Sequence, residues 1–224
     1  MTDKEIIALF DYTLLKADTS GKDIERICAE AMQYGFAAVA VNPYYVALAA
    51  KCLKGSPVAV CSAVGFPTGA HITEVKLLEA ERAIEHGATE VDMIINIGAL
   101  KTGDYDYVKK EIFEFCSLAK GRAISKLVLE ACLLTDDEKR AVCEMAVECG
   151  ADFVKTSTGF QPGGATVSDI RLMKSVVGDS CLVKASGGIK DLAAVKALVD
   201  AGARRIGLSV AVPIAKSILE NCGE

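Results

Sequence analysis

Histidine is nearly absent from this chain: only His71 and His86 occur in 224 residues. Neither sits near a cysteine cluster. The nine cysteines, at positions 28, 52, 61, 116, 132, 143, 149, 181 and 222, include no C-x-x-C pair, so nothing in the sequence assembles a zinc site. Their number is odd and most lie in apolar runs such as Val60-Cys61 and Ala131-Cys132, the setting of reduced thiols packed as small hydrophobes in a reducing cytosol. Basic residues are scattered and the net charge is −5, which leaves no electrostatic footprint for nucleic acid or an anionic membrane. No apolar run approaches the length of a bilayer span. Met1 to Phe10 is acidic and amphipathic rather than basic then apolar, so no export signal is expected. No nucleotide fingerprint follows the first apolar run, and no linker or low-complexity tract divides the chain. What remains is one cytoplasmic domain over residues 1–224, with small-molecule chemistry as its task.

What is present has the ordinary globular balance, 51% apolar and 25% charged, enough for one large core. Short β-branched runs alternate with longer stretches of helical period, the pattern of repeated βα units on a parallel sheet. Eight units can be counted. Strands are expected at Phe10–Thr13, Ala37–Val41, Val58–Val64, Glu90–Asn96, Lys126–Glu130, Asp152–Thr156, Cys181–Lys184 and Arg204–Leu208. Helices follow at 20–34, 44–54, 73–87, 104–121, 136–149, 166–178, 190–201 and 211–221, and a short extra helix at 3–9 would close the barrel bottom. Thr135 with Glu138 forms a capping box and Asp104 or Asp106 can cap the helix before it. Gly87-Ala88, Gly150-Ala151 and Gly202-Ala203 each mark a helix end followed by a strand. The expected fold is therefore a (β/α)8 TIM barrel.

Barrel strands are filled by branched apolar side chains and carry their chemistry at the C-terminal ends, so charges inside strand runs are informative. Lys155 ends Asp152-Phe153-Val154-Lys155, and Lys184 ends Cys181-Leu182-Val183-Lys184. Strand side chains alternate, so both lysines can point inward, on consecutive strands about 4.8 Å apart. Desolvation and a like-charged neighbour both favour a neutral amine. Only a neutral amine attacks a carbonyl, and an ordinary lysine, with a pKa of about 10.4, is almost wholly protonated at neutral pH. The pair thus divides into a Schiff-base nucleophile and a charged neighbour that tunes it. The bland alternative is that each lysine snorkels out of its strand end to solvent.

Asp92, inside Glu90-Val91-Asp92-Met93-Ile94-Ile95-Asn96, needs a buried partner, and an inward lysine would be one. It could move protons beside an imine, or be a structural ion pair. Asp11 and Glu130 are similar but less specific, and Lys16 reads as a surface residue. The turns Ser157-Thr158-Gly159, Ser186-Gly187-Gly188 and Gly207-Leu208-Ser209 suit an anionic group on backbone N–H donors in the last barrel loops. Gly65-Phe66-Pro67-Thr68-Gly69 is a long loop with no assignable chemistry, and the two histidines read as loop and helix-end residues.

Taken together, Asp11-Tyr12-Thr13-Leu14-Leu15-Lys16, Val41-Asn42-Pro43, Val64-Gly65-Phe66-Pro67, Glu90 to Asn96, Asp152 to Phe160 and Val183 to Ile189 resemble the deoxyribose-phosphate aldolase family almost end to end. The resemblance implies reversible cleavage of 2-deoxy-D-ribose 5-phosphate to glyceraldehyde 3-phosphate and acetaldehyde, with no metal or organic cofactor. It implies Lys155 as the imine-forming lysine, Lys184 as the lysine that tunes it, and Asp92 as the proton shuttle. Asp11, Thr156, Gly159, Gly187, Gly188 and Ser209 would form the substrate surface. The partners implied are a phosphorylated deoxysugar and aldehydes, with homodimers or homotetramers compatible.

The chain departs from the family pattern at several places. Tyr12 stands where the family commonly has histidine, and Ala131 follows Glu130 where threonine is common. Ala40 replaces a frequent cysteine whose thiol could capture an enal formed from condensed acetaldehyde, so tolerance of high acetaldehyde is expected. Leu208, Val210 and Ala211 are bulkier than the small or hydroxylated residues common there. Some members carry a C-terminal tyrosine that assists a proton step, whereas Asn221-Cys222-Gly223-Glu224 stands here and lacks it. The competing readings are another lysine-dependent barrel aldolase acting on an unphosphorylated or keto-acid substrate, and a metabolite-binding barrel in which the two lysines and Asp92 form only an ion network.

Overall fold

Alternation within the strands decides how the chain closes. In Glu90-Val91-Asp92-Met93-Ile94, Val91 and Met93 are wholly buried in the apolar layer shared with the helices, so Glu90 and Asp92 face the other way. The same holds for Val154 against Phe153 and Lys155, and for Val183 and Ala185 against Lys184. Each strand thus has an aliphatic face that a helix must cover, which is the requirement a βα unit meets.

The structure, a computed structural model, describes residues 1–221. Cys222, Gly223 and Glu224 lie outside the described residues, and with them most of the comparison with a C-terminal tyrosine. Eight parallel strands form a closed barrel in sequence order: β1 Phe10–Leu14, β2 Ala38–Val41, β3 Ala59–Val64, β4 Glu90–Ile94, β5 Ile124–Val128, β6 Phe153–Lys155, β7 Leu182–Ser186 and β8 Arg205–Leu208. Strand β8 returns to β1, pairing Ile206 with Phe10 and Gly207 with Asp11. Helices α1 Asp3–Ile7, α2 Gly21–Tyr34, α3 Val46–Cys52, α4 Thr73–Glu85, α5 Ile97–Lys101, α6 Tyr105–Ala119, α7 Asp136–Glu148, α8 Val167–Val177, α9 Leu192–Asp200 and α10 Ala211–Asn221 surround it. This is the expected (β/α)8 barrel with its extra N-terminal helix, which packs against α10. No described helix is long and apolar enough to cross a membrane.

The expected caps are in place. Thr135 and Glu138 cap α7 reciprocally, and the Asp104 side chain accepts from the Tyr107 N–H at the start of α6. Several boundaries differ from expectation by one or two residues. Strand β5 begins two residues early, at Ile124, which pairs with Glu90; polar Ser125 joins the strand because its N–H and hydroxyl both donate to the Asp152 carboxylate, at 2.8 and 2.9 Å. Asn96 ends β4's extension by accepting from the Ala99 N–H at 3.1 Å and so starts the short α5. The expected third helix begins as a 3-10 turn, Pro43–Tyr45, because proline at its first position permits entry but supplies no N–H.

A buried ion pair holds the β3–α4 loop. Lys76 and Glu111 are both fully buried and 2.7 Å apart, and the lysine also donates to the carbonyls of Gly69 and Ile94 at 2.9 and 3.0 Å. All three ammonium protons are thereby used. Gly65 is required there, with φ 69° and a hypothetical Cβ only 2.7 Å from the Lys76 stem.

Candidate active site

The inward positions of the strands are not filled by aliphatic side chains. Asp11 from β1, Cys61 from β3, Glu90 and Asp92 from β4, Lys126 from β5, Lys155 from β6, Lys184 from β7 and Arg205 from β8 meet inside the barrel. Asp92 holds three lysines: Lys126 at 2.9 Å on one oxygen, and Lys155 at 2.7 Å and Lys184 at 2.8 Å on the other. Lys126 also pairs with Glu90 at 2.5 Å, and Lys184 with Asp11. Arg205 bridges Asp11 at 2.6 Å and Glu90 at 3.0 Å. Four cations therefore share three anions in this network.

Lys126, Lys184 and Arg205 each have two carboxylate partners, whereas Lys155 has only Asp92, which it shares. Its pKa falls accordingly. Burial lowers it most, Asp92 pulls the other way, and the nearby Lys184 charge adds to the lowering. Lys184 is raised instead, because Asp11 and Asp92 together outweigh its burial, and Lys126 lies well above the lysine range against its own burial, chiefly through Asp92. Against its burial, the three lysines hold Asp92 well below the carboxylate range. With Lys155 neutral, three cations match three anions. The fold thus selects one amine to lose its proton. Cys61, pushed up to about 12 by burial, stays a thiol and donates to Asp92 at 3.0 Å.

Lys155 is also the member of this network that opens to a cavity. A cavity of about 250 Å³ is lined by Lys155, Thr13 to Lys16, Thr158 to Phe160, Ser186 to Ile189, Gly207 and Ser209. At its edge the backbone N–H groups of Gly159, Gly187, Gly188 and Ser209 have no protein acceptor among the described residues. Close interlocking sets these turns: the Ala165 N–H donates to Gly187 O at 3.1 Å, and a Cβ on Gly164 would lie 2.3 Å from that oxygen. On the other side of the amine, the Phe66 ring centroid lies 5.0 Å from Lys155 Nζ. The arrangement offers a nucleophilic amine, a carboxylate within reach of its proton, and a cluster of unpaired donors suited to an anion.

Lys155, Lys184 and Asp92 thus lie together inside the barrel, and the four expected anion-site residues line one cavity with Lys155. Two expected substrate contacts do not reach it. Asp11 is fully buried and engaged by Lys184 and Arg205. Thr156 uses its hydroxyl to join β6 to β7, bonding the carbonyl and N–H of Ser186 at 3.1 Å each, so both support the site from behind. Lys16 is exposed as expected yet stands at the cavity rim, where Lys155 is the other cation among the lining residues. Lys126, Glu90 and Arg205 went unnoticed in the sequence. Glu90 carried the signal, two residues before Asp92 and so on its face. Ala40 faces inward in a group with Ala38 and Cys61. The ligand atoms of Asp11, Cys61 and Glu90 lie within 4.8 Å of one another, but fixed cations already occupy both carboxylates.

Comparison with known proteins gives the same grouping. Residues 5–212 match the DeoC/LacD family aldolase description. A deoxyribose-phosphate aldolase of a Geobacillus species is 51% identical over 98% of both chains, and that of Halalkalibacterium halodurans is 54% identical over 94% of this chain and 95% of its own. Among solved structures, the tetrameric deoxyribose phosphate aldolase of Aeropyrum pernix superposes with a TM-score of 0.91 at 32% identity, covering 98% of this chain and 93% of that one. With these relatives, and with one neutral-prone lysine placed between a buried carboxylate and a donor-lined cavity, the chain belongs to the DeoC/LacD aldolase family.

Proposed function

We propose that the chain cleaves 2-deoxy-D-ribose 5-phosphate reversibly to D-glyceraldehyde 3-phosphate and acetaldehyde through an imine on Lys155. The observation that carries this reading is the odd cation: Lys155 alone among four interior cations has a single, shared counter-ion and lines the cavity. In the synthetic direction its neutral amine adds to the acetaldehyde carbonyl, and loss of water gives an iminium. Removal of a proton from the adjacent methyl yields an enamine, whose carbon attacks the aldehyde of glyceraldehyde 3-phosphate while the new alkoxide takes up a proton. Hydrolysis of the iminium frees the sugar and the amine. Asp92, 2.7 Å from the reacting nitrogen, is placed to pass these protons through a water. Lys184 stays charged and supplies the field that lowers the Lys155 pKa and favours its free amine.

The phosphate is assigned to the N–H groups of Gly159, Gly187, Gly188 and Ser209, with Lys16 at the rim. The chemistry calls for no cofactor. A soluble cytoplasmic homo-oligomer fits the reduced cysteines and the tetrameric relative, and Ile72, Val75 and Leu78 expose an apolar row on α4 and its cap suited to a second copy. Borohydride reduction in acetaldehyde should add mass at Lys155 alone, and the chain should release acetaldehyde from deoxyribose 5-phosphate. Labelling that survives Lys155→Ala would overturn the mechanism, and a preference for unphosphorylated deoxyribose or a keto acid would move the chain to a different lysine aldolase.

A further inference from the structure

Among the described residues Glu130 is the one non-glycine residue with a left-handed backbone, φ 55°. That conformation is unfavourable for a side chain with a Cβ, and such residues persist where the surrounding structure over-determines them. Its carboxyl group is wholly buried, and burial raises its pKa against the opposing pulls of the Thr158 hydrogen bonds and the more distant Lys155 charge. No lysine or arginine among the described residues pairs with it. Its main partner is instead one residue: the Thr158 N–H donates to both oxygens at 3.2 and 3.4 Å, the Thr158 hydroxyl donates to one of them as well, and the Cys132 thiol adds a long contact at 4.0 Å.

The bonding continues along the turn. The Phe160 N–H donates to Thr158 Oγ1 at 3.2 Å, so the donors of residues 158 and 160 are both drawn toward the Glu130 side. Gly159 lies between them, with φ 90°. Its N–H has no protein acceptor among the described residues, and it lines the cavity with Lys155. A strained backbone and a buried carboxyl without an ion pair are both unfavourable for folding, and the hydrogen bonds that offset them all serve this one turn.

We infer that Glu130 is a positioning residue that clamps the β6–α8 turn through Thr158 so that the Gly159 N–H is presented to the substrate's phosphate, an inference that rests on the phosphate reading of the cavity. Glu130 forms no ion pair with Lys155 and acts on it only at a distance, as the smallest of its own pKa influences, so its loss should appear chiefly in binding of the phosphorylated sugar rather than in the chemical step. An amide in its place keeps the shape, but it turns one acceptor oxygen into a donor and removes the charge, so the bonds from Thr158 lose their charge assistance.

The experiment measures kcat and KM for deoxyribose 5-phosphate and for deoxyribose, with borohydride trapping of acetaldehyde at Lys155, in wild type, Glu130→Gln, Thr158→Val, Thr158→Ser and the Glu130→Gln/Thr158→Val double variant. Glu130→Gln should raise KM for the phosphorylated sugar by about tenfold, the worth of one hydrogen bond to a charged group, with trapping at Lys155 retained. Thr158→Val should do the same, Thr158→Ser should not, and the double variant should be no worse than the poorer single one. An unchanged KM in folded Glu130→Gln, equal losses on both sugars, or additive losses would overturn the inference. Should Glu130→Gln fail to fold, Thr158→Val decides, and a normal KM there overturns it. A wild type indifferent to the phosphate removes the reading on which this rests, whereas a wild type that prefers it beside an unaffected Glu130→Gln removes the clamp alone.

Discussion

Replacing Lys184 by leucine tests the electrostatic core of the mechanism. Lys155 and Lys184 bind the same Asp92 oxygen at 2.7 and 2.8 Å, which puts the two nitrogens at most about 5.5 Å apart; at that separation two unit charges repel by about 3 kcal/mol at an effective dielectric constant of about 20. A shift of one pKa unit corresponds to about 1.4 kcal/mol, so removing the Lys184 charge should raise the Lys155 pKa by about two units. Releasing Asp92 from Lys184 acts in the same direction, because the carboxylate then serves the Lys155 ammonium more fully. Lys155 must lose a proton to react, so the acidic limb of kcat/KM moves up by about two pH units and the rate at pH 7 falls by about a hundredfold. Asp11 keeps its Arg205 partner at 2.6 Å, which lets the variant fold. The assay is the pH dependence of borohydride trapping with acetaldehyde, which reads Lys155 directly, beside kcat/KM for the sugar. A folded Lys184→Leu variant with the wild-type acidic limb in both measurements would refute the reasoning.

Asp92→Asn removes one of three interior anions, so Lys155 should become still easier to deprotonate and acetaldehyde trapping should persist. The catalysed aldol step should meanwhile fall by about a hundredfold or more with its proton shuttle lost; a variant as fast as wild type would show that Asp92 is only a counter-ion. Ser209→Ala, which keeps the backbone N–H but removes a hydroxyl placed to donate beside it, and Lys16→Met should each weaken deoxyribose 5-phosphate by about tenfold to a hundredfold and leave deoxyribose nearly unaffected, and parallel losses on both sugars would show that the residue shapes the barrel instead. Ala40→Cys should shorten the active lifetime in concentrated acetaldehyde by placing a second thiol beside the inward Cys61, and equal lifetimes would count against enal capture.

Fold and site were legible to different degrees. Eight βα units stood out because strand and helix have different periods and because Gly-Ala punctuation marks three helix ends. Lys155, Lys184 and Asp92 stood out because a charge inside an apolar strand must be explained by something. Lys126 and Arg205 carried the same kind of signal but sat near expected strand starts, where a basic side chain reads as a solvent-facing end. Their burial follows from the barrel's closure, which brings Arg205 of β8 to Asp11 of β1 across 194 positions. No local pattern contains that distance. Asp11 and Thr156 were misplaced for a related reason, since sequence position says which strand a residue ends but not how deep its side chain lies.

The charged barrel interior makes sense only in terms of the reaction. Buried ion pairs seldom stabilise a fold better than well-packed apolar residues of similar volume would, while removing one partner leaves an uncompensated charge that is strongly destabilising. A network of seven such groups is therefore a poor way to fill a barrel if stability is its purpose. It is an effective way to hold one amine neutral. A lone lysine in an apolar barrel would also deprotonate by desolvation, but it would have no carboxylate beside it to receive protons. A lone lysine and aspartate would form an ion pair and keep the amine charged. The extra lysine removes this conflict, because Lys184 competes for the Asp92 oxygen that would otherwise hold Lys155 protonated, and Lys126 occupies the other. Asp92 can then stay ionised and near the reacting nitrogen while that nitrogen is free to attack. On the proposed mechanism, the odd number of charges in the network is what lets Asp92 act as base and Lys155 as nucleophile within 2.7 Å of each other.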